Sequence, residues 1–249
     1  MNDGGMGSFR NSGVVNGQAA VRLCMTAVAA IAFLGAADEA MAHAVAAGDR
    51  GYIMCGTGVR LLPFAYLGAK HMVTGYDHLL FLCGVIFFLY RARDIATYVT
   101  LFALGHSATL LLGVLMKVGF NTHMIDAIIG LSVAYKAVDN IGLVKQWFGF
   151  QPNAKLATMF FGLCHGFGLA TRMLDFQLAR DGLVGNLIAF NVGVEVGQLL
   201  ALSAILIAMS YWRRSASFTR SAYGANLGLT AAGAALIVYQ LAGFATAPS

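Results

Sequence analysis

The sequence predicts an all-α protein, a polytopic transmembrane bundle of about six spanning helices that follow a cleaved signal peptide. The 249-residue chain is 59% hydrophobic and only 11% charged, whereas a soluble domain carries roughly 25% charged residues. Its apolar residues form runs near the ~20 residues that a bilayer requires. Because few charges remain to cover a water-facing surface, we expect lipid to surround most of the chain.

The N-terminal element is a predicted signal peptide, residues 1–42. Arg22 precedes the apolar run 23–37, and an Ala-Met-Ala sequence ends at Ala42. A basic region, a short apolar stretch and a small-x-small ending are typical of a secretory signal. We expect cleavage there, so that the mature chain begins at His43; an uncleaved first helix is the alternative.

The remaining elements are a short periplasmic segment, residues 43–70, and one transmembrane helical domain, residues 71–249. No Pro/Ser-rich linker divides this domain. The apolar runs place its spans at 73–90, 95–116, 123–140, 154–174, 182–211 and 224–244.

The net charge of +5 comes from basic residues scattered in ones and twos between the apolar runs. This pattern fits the enrichment of Lys and Arg in cytoplasmic loops and excludes nucleic acid as the partner. The segments holding Arg91, Lys145 and Arg213 are therefore predicted to be cytoplasmic. We expect a multi-pass protein of the bacterial inner membrane, with both mature termini in the periplasm.

Four of the predicted spans contain side chains that lipid disfavours. An acidic side chain at the centre of a spanning helix costs ~2.5–3.5 kcal/mol, so such residues are expected to face the bundle interior. They are His71, Asp77 and His78 in the first span, His106 in the second, Cys164 and His165 in the fourth, and Asn191, Glu195 and Gln198 in the fifth.

Their spacing suggests a shared destination. Asn191, Glu195 and Gln198 fall at i, i+4 and i+7, which predicts one polar stripe on a helix. His71 and His78 would align if their helix extends back to residue 71. The rise of ~1.5 Å per residue puts the candidate ligands at overlapping depths. We expect four of them to point toward one another, with Asp77 behind the ligands or at the mouth of the site: His78, His106, His165 and Glu195.

Imidazole and carboxylate together are ligands for a divalent transition metal such as Ni, Zn, Cu or Co. A proton relay uses the same side chains, and interhelical hydrogen bonding is the preferred interpretation for Asn191 and Gln198. For Cys164 the preferred interpretation is a small apolar side chain in helix packing. These three and His43, which at a new N-terminus would offer an amine beside its imidazole, are secondary metal candidates.

At these residues the sequence resembles the second branch of the HupE/UreJ family of hydrogenase- and urease-accessory membrane proteins. The stretch His71-MVTGY-Asp77-His78 matches that family's His-x5-Asp-His motif, and similar segments surround His106, His165 and Glu195. The resemblance implies a permease for nickel or cobalt that supplies a metalloenzyme maturation system.

The second motif of permease members departs from the pattern here. This chain has Phe161 where those members have a first histidine, and Gly168 where they have a glutamate. The resemblance implies that His165 is the histidine of this motif that the chain retains.

The predicted function is a nickel-type metal permease or metal-handling accessory protein and not an enzyme. No phosphate-binding Gly-Lys-Ser/Thr loop is present, so movement would be driven by membrane potential or protons. One alternative is an intramembrane metal-dependent hydrolase. Another is a non-transporting subunit of a membrane complex, with a structural metal or a haem between His106 and His165.

Overall fold

A computed structural model describes residues 58–174, 181–215 and 217–246. In these ranges the chain is helical and contains no strand, so the all-α prediction is confirmed. The helices are α1 Leu61–Thr74, α2 Tyr76–Ile86, α3 Ala92–Met116, α4 Thr122–Asn140, α5 Leu143–Phe148, α6 Ala154–Leu174, α7 Leu183–Arg214 and α8 Ser217–Thr246. The predicted signal peptide and His43 lie outside the described residues.

The helices α3, α7 and α8 are each long and apolar enough, by length and composition, to cross a membrane. The polytopic character of the bundle is therefore confirmed, while the number of spans stays a prediction. The bounds of α6 agree with the predicted span 154–174, whereas α8 begins seven residues before the predicted 224. The short helix α5 was not predicted.

The first predicted span, 73–90, is instead two helices that meet at Gly75. Gly75 has an extended backbone with φ −71° and ψ 96°. A Cβ added there would lie 2.9 Å from the carbonyl oxygen of His71 and 2.9 Å from Nδ1 of His78. The prediction of one continuous helix is wrong because the chain bends here, where a side chain would collide with both flanking histidines. Residues 61–70 of the expected periplasmic segment belong to α1.

Three helix pairs form the bundle: α1 with α7, α3 with α6, and α4 with α8. Glycines bring the paired backbones together, since no hydrophobic force drives helices together in lipid. A Cβ added at Gly197 would lie 2.6 Å from the carbonyl oxygen of Ala69, and one at Gly105 would lie 2.6 Å from that of Met159. Gly130 approaches Gly233 in the same way in the third pair.

The short helix α2 lies among these pairs, packing mainly against α4 and also touching α3, α7 and α8. Near its C-terminal end Asn140 donates a hydrogen bond to the carbonyl oxygen of Gly84, at 2.8 Å. The Arg213 guanidinium donates to the carbonyl oxygens of Phe87, at 2.8 Å, and Leu89, at 3.0 Å. Helix α2 is thus fixed at the centre, where it presents its first turn to the other helices.

Candidate metal centre

Four helices bring one histidine each to the middle of the bundle. His106 and His165 are 1% exposed, and His78 is 3% exposed. The ring centroid of His78 lies 5.0 Å from that of His71, 5.8 Å from that of His106 and 4.7 Å from that of His165. His78 is therefore the central member of this group, which we call the histidine cluster.

The histidine cluster and Asp77 form two overlapping triads of candidate ligands. One contains His71, His78 and His106, and the other contains Asp77, His78 and His165; within each triad the ligand atoms all lie within 4.8 Å of one another. Nitrogen ligands at ~2.0–2.1 Å from a tetrahedral ion lie roughly 3.4 Å apart. Movements of about 1 Å by these side chains would bring either triad to bonding distance.

The carboxylate of Asp77 orients the central histidine. Its Oδ1 lies 2.9 Å from Nδ1 of His78, an arrangement that fixes the ring and leaves the other nitrogen for a metal. Nε2 of His78 is buried and has no hydrogen-bond partner among the described residues. The side chain of Asp77 is 24% exposed, so it joins the cluster to the surface of the bundle.

His106 and His165 also have buried nitrogens without partners among the described residues. Neither ring nitrogen of His106 is hydrogen-bonded within the described part of the chain, and nor is Nδ1 of His165. Nε2 of His165 lies 3.1 Å from Oγ of the fully buried Ser132. Each buried polar atom left without a partner costs about 1–3 kcal/mol. A cation that accepted the lone pair of one nitrogen on each ring would remove the cost of that nitrogen.

Three phenylalanines form a layer on one side of the histidine cluster, and we call it the aromatic layer. Each lies about one turn from a cluster histidine, toward the bundle end that carries Arg91, Lys145 and Arg213. The ring centroid of Phe81 on α2 lies 5.2 Å from that of Phe102 on α3 and 5.9 Å from that of Phe161 on α6. All three rings are buried. The members of the layer are Phe81, Phe102 and Phe161.

One member of the aromatic layer, Phe102, packs against two histidines of the cluster. The ring of Phe102 packs 6.1 Å from that of His106 and 5.1 Å from that of His165. Phe102 therefore packs against both of the histidines that a haem between His106 and His165 would need as ligands.

Glu195 does not join the histidine cluster, so the prediction that it faces the same interior is wrong. Its side chain is exposed on the outside of α7. Gly193 and Gly197 pack against Ala65 and Ala69 of α1, and Glu195 lies two residues from each glycine, about 200° around the helix. The close contact of α7 with α1 therefore turns Glu195 away from the bundle.

The remaining candidates of α7 and α6 have other surroundings. Gln198 is buried and donates a hydrogen bond to the carbonyl oxygen of Val99, at 3.3 Å, an interhelical contact of the kind preferred for it. Oδ1 of Asn191 is buried without a hydrogen-bond partner among the described residues. Cys164 is half-buried with a free thiol and belongs to neither triad.

A model of one protein family, described as "HupE / UreJ protein", matches residues 47–247 of this chain. The matched range includes all the residues of the histidine cluster and the aromatic layer. No match was found among curated proteins or solved structures.

Proposed function

This chain belongs to the HupE/UreJ family, and we propose that it is a permease for a nickel-type divalent cation. The observation that carries the proposal is the set of buried ring nitrogens on His78, His106 and His165 that lack hydrogen-bond partners. Neutral imidazole nitrogen is a good ligand for Ni, Cu, Zn and Co. Three such rings at one point in an apolar bundle are expensive unless an ion uses them.

The ion reaches the histidine cluster from the outer side, past the partly exposed carboxylate of Asp77. A negative charge at the entrance attracts the cation and, through its contact with His78, prepares the first ligand. A divalent ion that moves inward gains ~4.6 kcal/mol at 100 mV, twice the ~2.3 kcal/mol of a single charge. Membrane potential is therefore a sufficient driving force.

The donor set favours nitrogen-binding metals over Mg²⁺ and Ca²⁺, which prefer oxygen ligands. With Glu195 turned outward, the centre offers four imidazoles and a single carboxylate. Among the metals that accept such ligands, family membership favours nickel and cobalt. A metalloenzyme maturation system is then the recipient on the cytoplasmic side.

A non-transporting metal-binding subunit is the second candidate, and the aromatic layer favours it. The three phenylalanines stand between the histidine cluster and the predicted cytoplasmic end. Transport requires these rings to move apart, whereas metal storage does not.

Metal analysis of the purified full-length protein tests the binding step. We expect protein loaded with Ni²⁺ and then desalted to retain it, and we expect His106→Ala and His165→Ala to lose it. His123→Ala is the matched control, because His123 pairs with Gln240 away from the cluster. Retention of nickel by both cluster variants would refute the binding site.

Flux measurements distinguish the two candidates. Proteoliposomes with an internal nickel-sensitive dye should report voltage-dependent Ni²⁺ entry if the protein is a permease. Full binding with flux no greater than in empty liposomes would instead establish the non-transporting subunit.

A further inference from the structure

Helix α4 contributes a buried hydroxyl group to the edge of the histidine cluster. Ser132 is fully buried, and its Oγ lies 3.1 Å from Nε2 of His165 on α6. The same Oγ lies 2.6 Å from the carbonyl oxygen of Ile129, one turn earlier in α4. The hydroxyl group thus stands between a backbone acceptor and a ring nitrogen, and the direction of its single hydrogen decides what it offers to His165.

The hydrogen of the Ser132 hydroxyl group points toward Ile129. Two oxygen atoms 2.6 Å apart are at the distance of an O–H···O hydrogen bond. A carbonyl oxygen only accepts, so the hydroxyl group supplies the hydrogen of this contact. If the hydrogen pointed elsewhere, the lone pairs of the two oxygens would repel each other at this distance. Oγ therefore offers only lone pairs to His165, from which it accepts a hydrogen bond.

Nε2 of His165 must then carry a hydrogen. Its distance of 3.1 Å from Oγ of Ser132 is an ordinary length for an N–H···O hydrogen bond. A histidine that binds a metal is neutral, with a hydrogen on one ring nitrogen and a lone pair on the other. The lone pair of His165 consequently lies on Nδ1, which is buried without a hydrogen-bond partner among the described residues.

We propose that Ser132 is a positioning residue that fixes the tautomer of His165, so that this ring binds the cation through Nδ1. The proposal rests on the metal centre proposed above and adds the atom that His165 contributes to it. The hydrogen-bond partner of one ring nitrogen commonly sets which nitrogen binds a metal. Asp77 holds Nδ1 of His78 and leaves Nε2 for the ion. Ser132 holds Nε2 of His165 and leaves Nδ1, so the two partners select opposite atoms.

A second serine shows what a hydroxyl group does without this contact. Ser210 donates a hydrogen bond to the carbonyl oxygen of Ile207, three residues earlier in α7, at 2.8 Å, and its side chain is exposed. Such a bond to the serine's own helix satisfies the hydroxyl hydrogen locally. Ser132 makes the same local bond, but its oxygen also meets a histidine of another helix. Ser210 is therefore the matched control for Ser132.

Nitrogen-15 NMR of the metal-free, full-length protein tests the tautomer directly. The chemical shifts of the ring nitrogens report which one carries the hydrogen, and the signals of His165 are identified by their loss in His165→Asn. We expect the hydrogen on Nε2 in the unsubstituted protein and in Ser210→Ala, and a mixture of both tautomers in Ser132→Ala. A hydrogen on Nδ1 in the unsubstituted protein would overturn the proposal, and so would an unchanged tautomer in Ser132→Ala.

Ser132→Thr and Ser132→Val separate the hydrogen bond from packing. The two new side chains have nearly the same shape, but only threonine keeps the hydroxyl group. We expect Ser132→Val to bind nickel about tenfold more weakly than Ser132→Thr, the lower end of the usual effect of losing a partner behind a ligating histidine. Equal affinities would contradict the positioning role of Ser132.

The two measurements distinguish failure of the proposal from failure of the metal centre. If the unsubstituted protein binds no nickel, the metal centre is refuted and the proposed ligand atom with it. If the protein binds nickel but His165 carries its hydrogen on Nδ1, the role of Ser132 alone is refuted.

Discussion

Asp77 is the residue through which the surface of the bundle acts on the metal centre. Its Oδ1 holds Nδ1 of His78, and its side chain remains partly exposed. A carboxylate in this position fixes the orientation of a ligand ring and raises the basicity of that ligand. The charge of Asp77 therefore matters as much as its hydrogen bond.

Asp77→Asn should weaken nickel binding by about 10–100-fold, the usual effect of losing a carboxylate behind a ligating histidine. The amide can still contact His78, so helix content should not change. Titration calorimetry of purified protein with Ni²⁺ measures the effect. Asp181→Asn is the control, because Asp181 is exposed and outside both triads; equal affinities for the two variants would refute the role of Asp77.

Gly75 is the second residue that the centre requires. An added Cβ would contact the backbone of His71 and the ring of His78, so Gly75→Ala should destabilise the protein by about 1–3 kcal/mol and reduce bound nickel. Thermal unfolding in detergent and metal analysis measure the two effects. Gly224→Ala is the matched control, since nothing lies within 4 Å of a Cβ there; an equal shift in both variants would contradict the close contact at Gly75.

Helix α2 depends on neighbouring helices because it is only 11 residues long. The carbonyl groups of Phe87 and Leu89 follow it and need partners, and the Arg213 guanidinium donates to both of them. It also donates to the carbonyl oxygen of Ile86, which accepts the backbone N–H of Leu89 as well. The same guanidinium lies over the ring of Tyr90, 4.6 Å from its centroid. One side chain of α7 thus anchors the helix that carries His78.

Arg213→Ala should lower the free energy of unfolding by about 1.5–3 kcal/mol, the range for hydrogen bonds to a charged group. Denaturation in mixed micelles measures this loss. Arg214→Ala removes the same charge from the neighbouring, exposed position. If both variants lose equal stability, the effect is one of net charge and not of the anchored carbonyl groups.

Sequence patterns predict a helix well where the length of an apolar run sets its bounds. They predict it less well where contacts with other helices set its bounds or its bends. The bounds of α6 follow from the length of a largely apolar run. The break at Gly75 does not, because a glycine in an apolar run is equally compatible with a straight helix.

The convergence of His78, His106 and His165 could be predicted because each needs a polar interior. The outward direction of Glu195 could not be predicted from its own spacing, since periodicity shows which residues share a face but not which face is buried. The flanking Gly193 and Gly197 indicate which face of the helix is buried, because small residues mark the packed side of a membrane helix.

At the scale of the whole molecule, three glycine-packed helix pairs surround α2, and more of the basic residues of the described helices lie at the end that carries Arg91, Lys145 and Arg213 than at the other. The Lys/Arg asymmetry predicts that this end is cytoplasmic. A reporter that is active only outside the cytoplasm should be active when fused after residue 249 and inactive when fused after Ser215. The reverse result would invert the bundle, so that Asp77 would face the cytoplasm.

The aromatic layer also bears on how the membrane voltage acts on a passing ion. Voltage falls mainly across the part of a membrane protein that excludes water, and a ring of apolar side chains excludes it well. Buried apolar side chains also lie on the outer side of the histidine cluster, among them Leu110, Leu169 and Met173, so an ion at the histidines is separated from both solutions. Its capture and its onward passage across the phenyl rings should therefore each depend on voltage. The same two insulating layers would keep protons from leaking through the bundle while no metal moves.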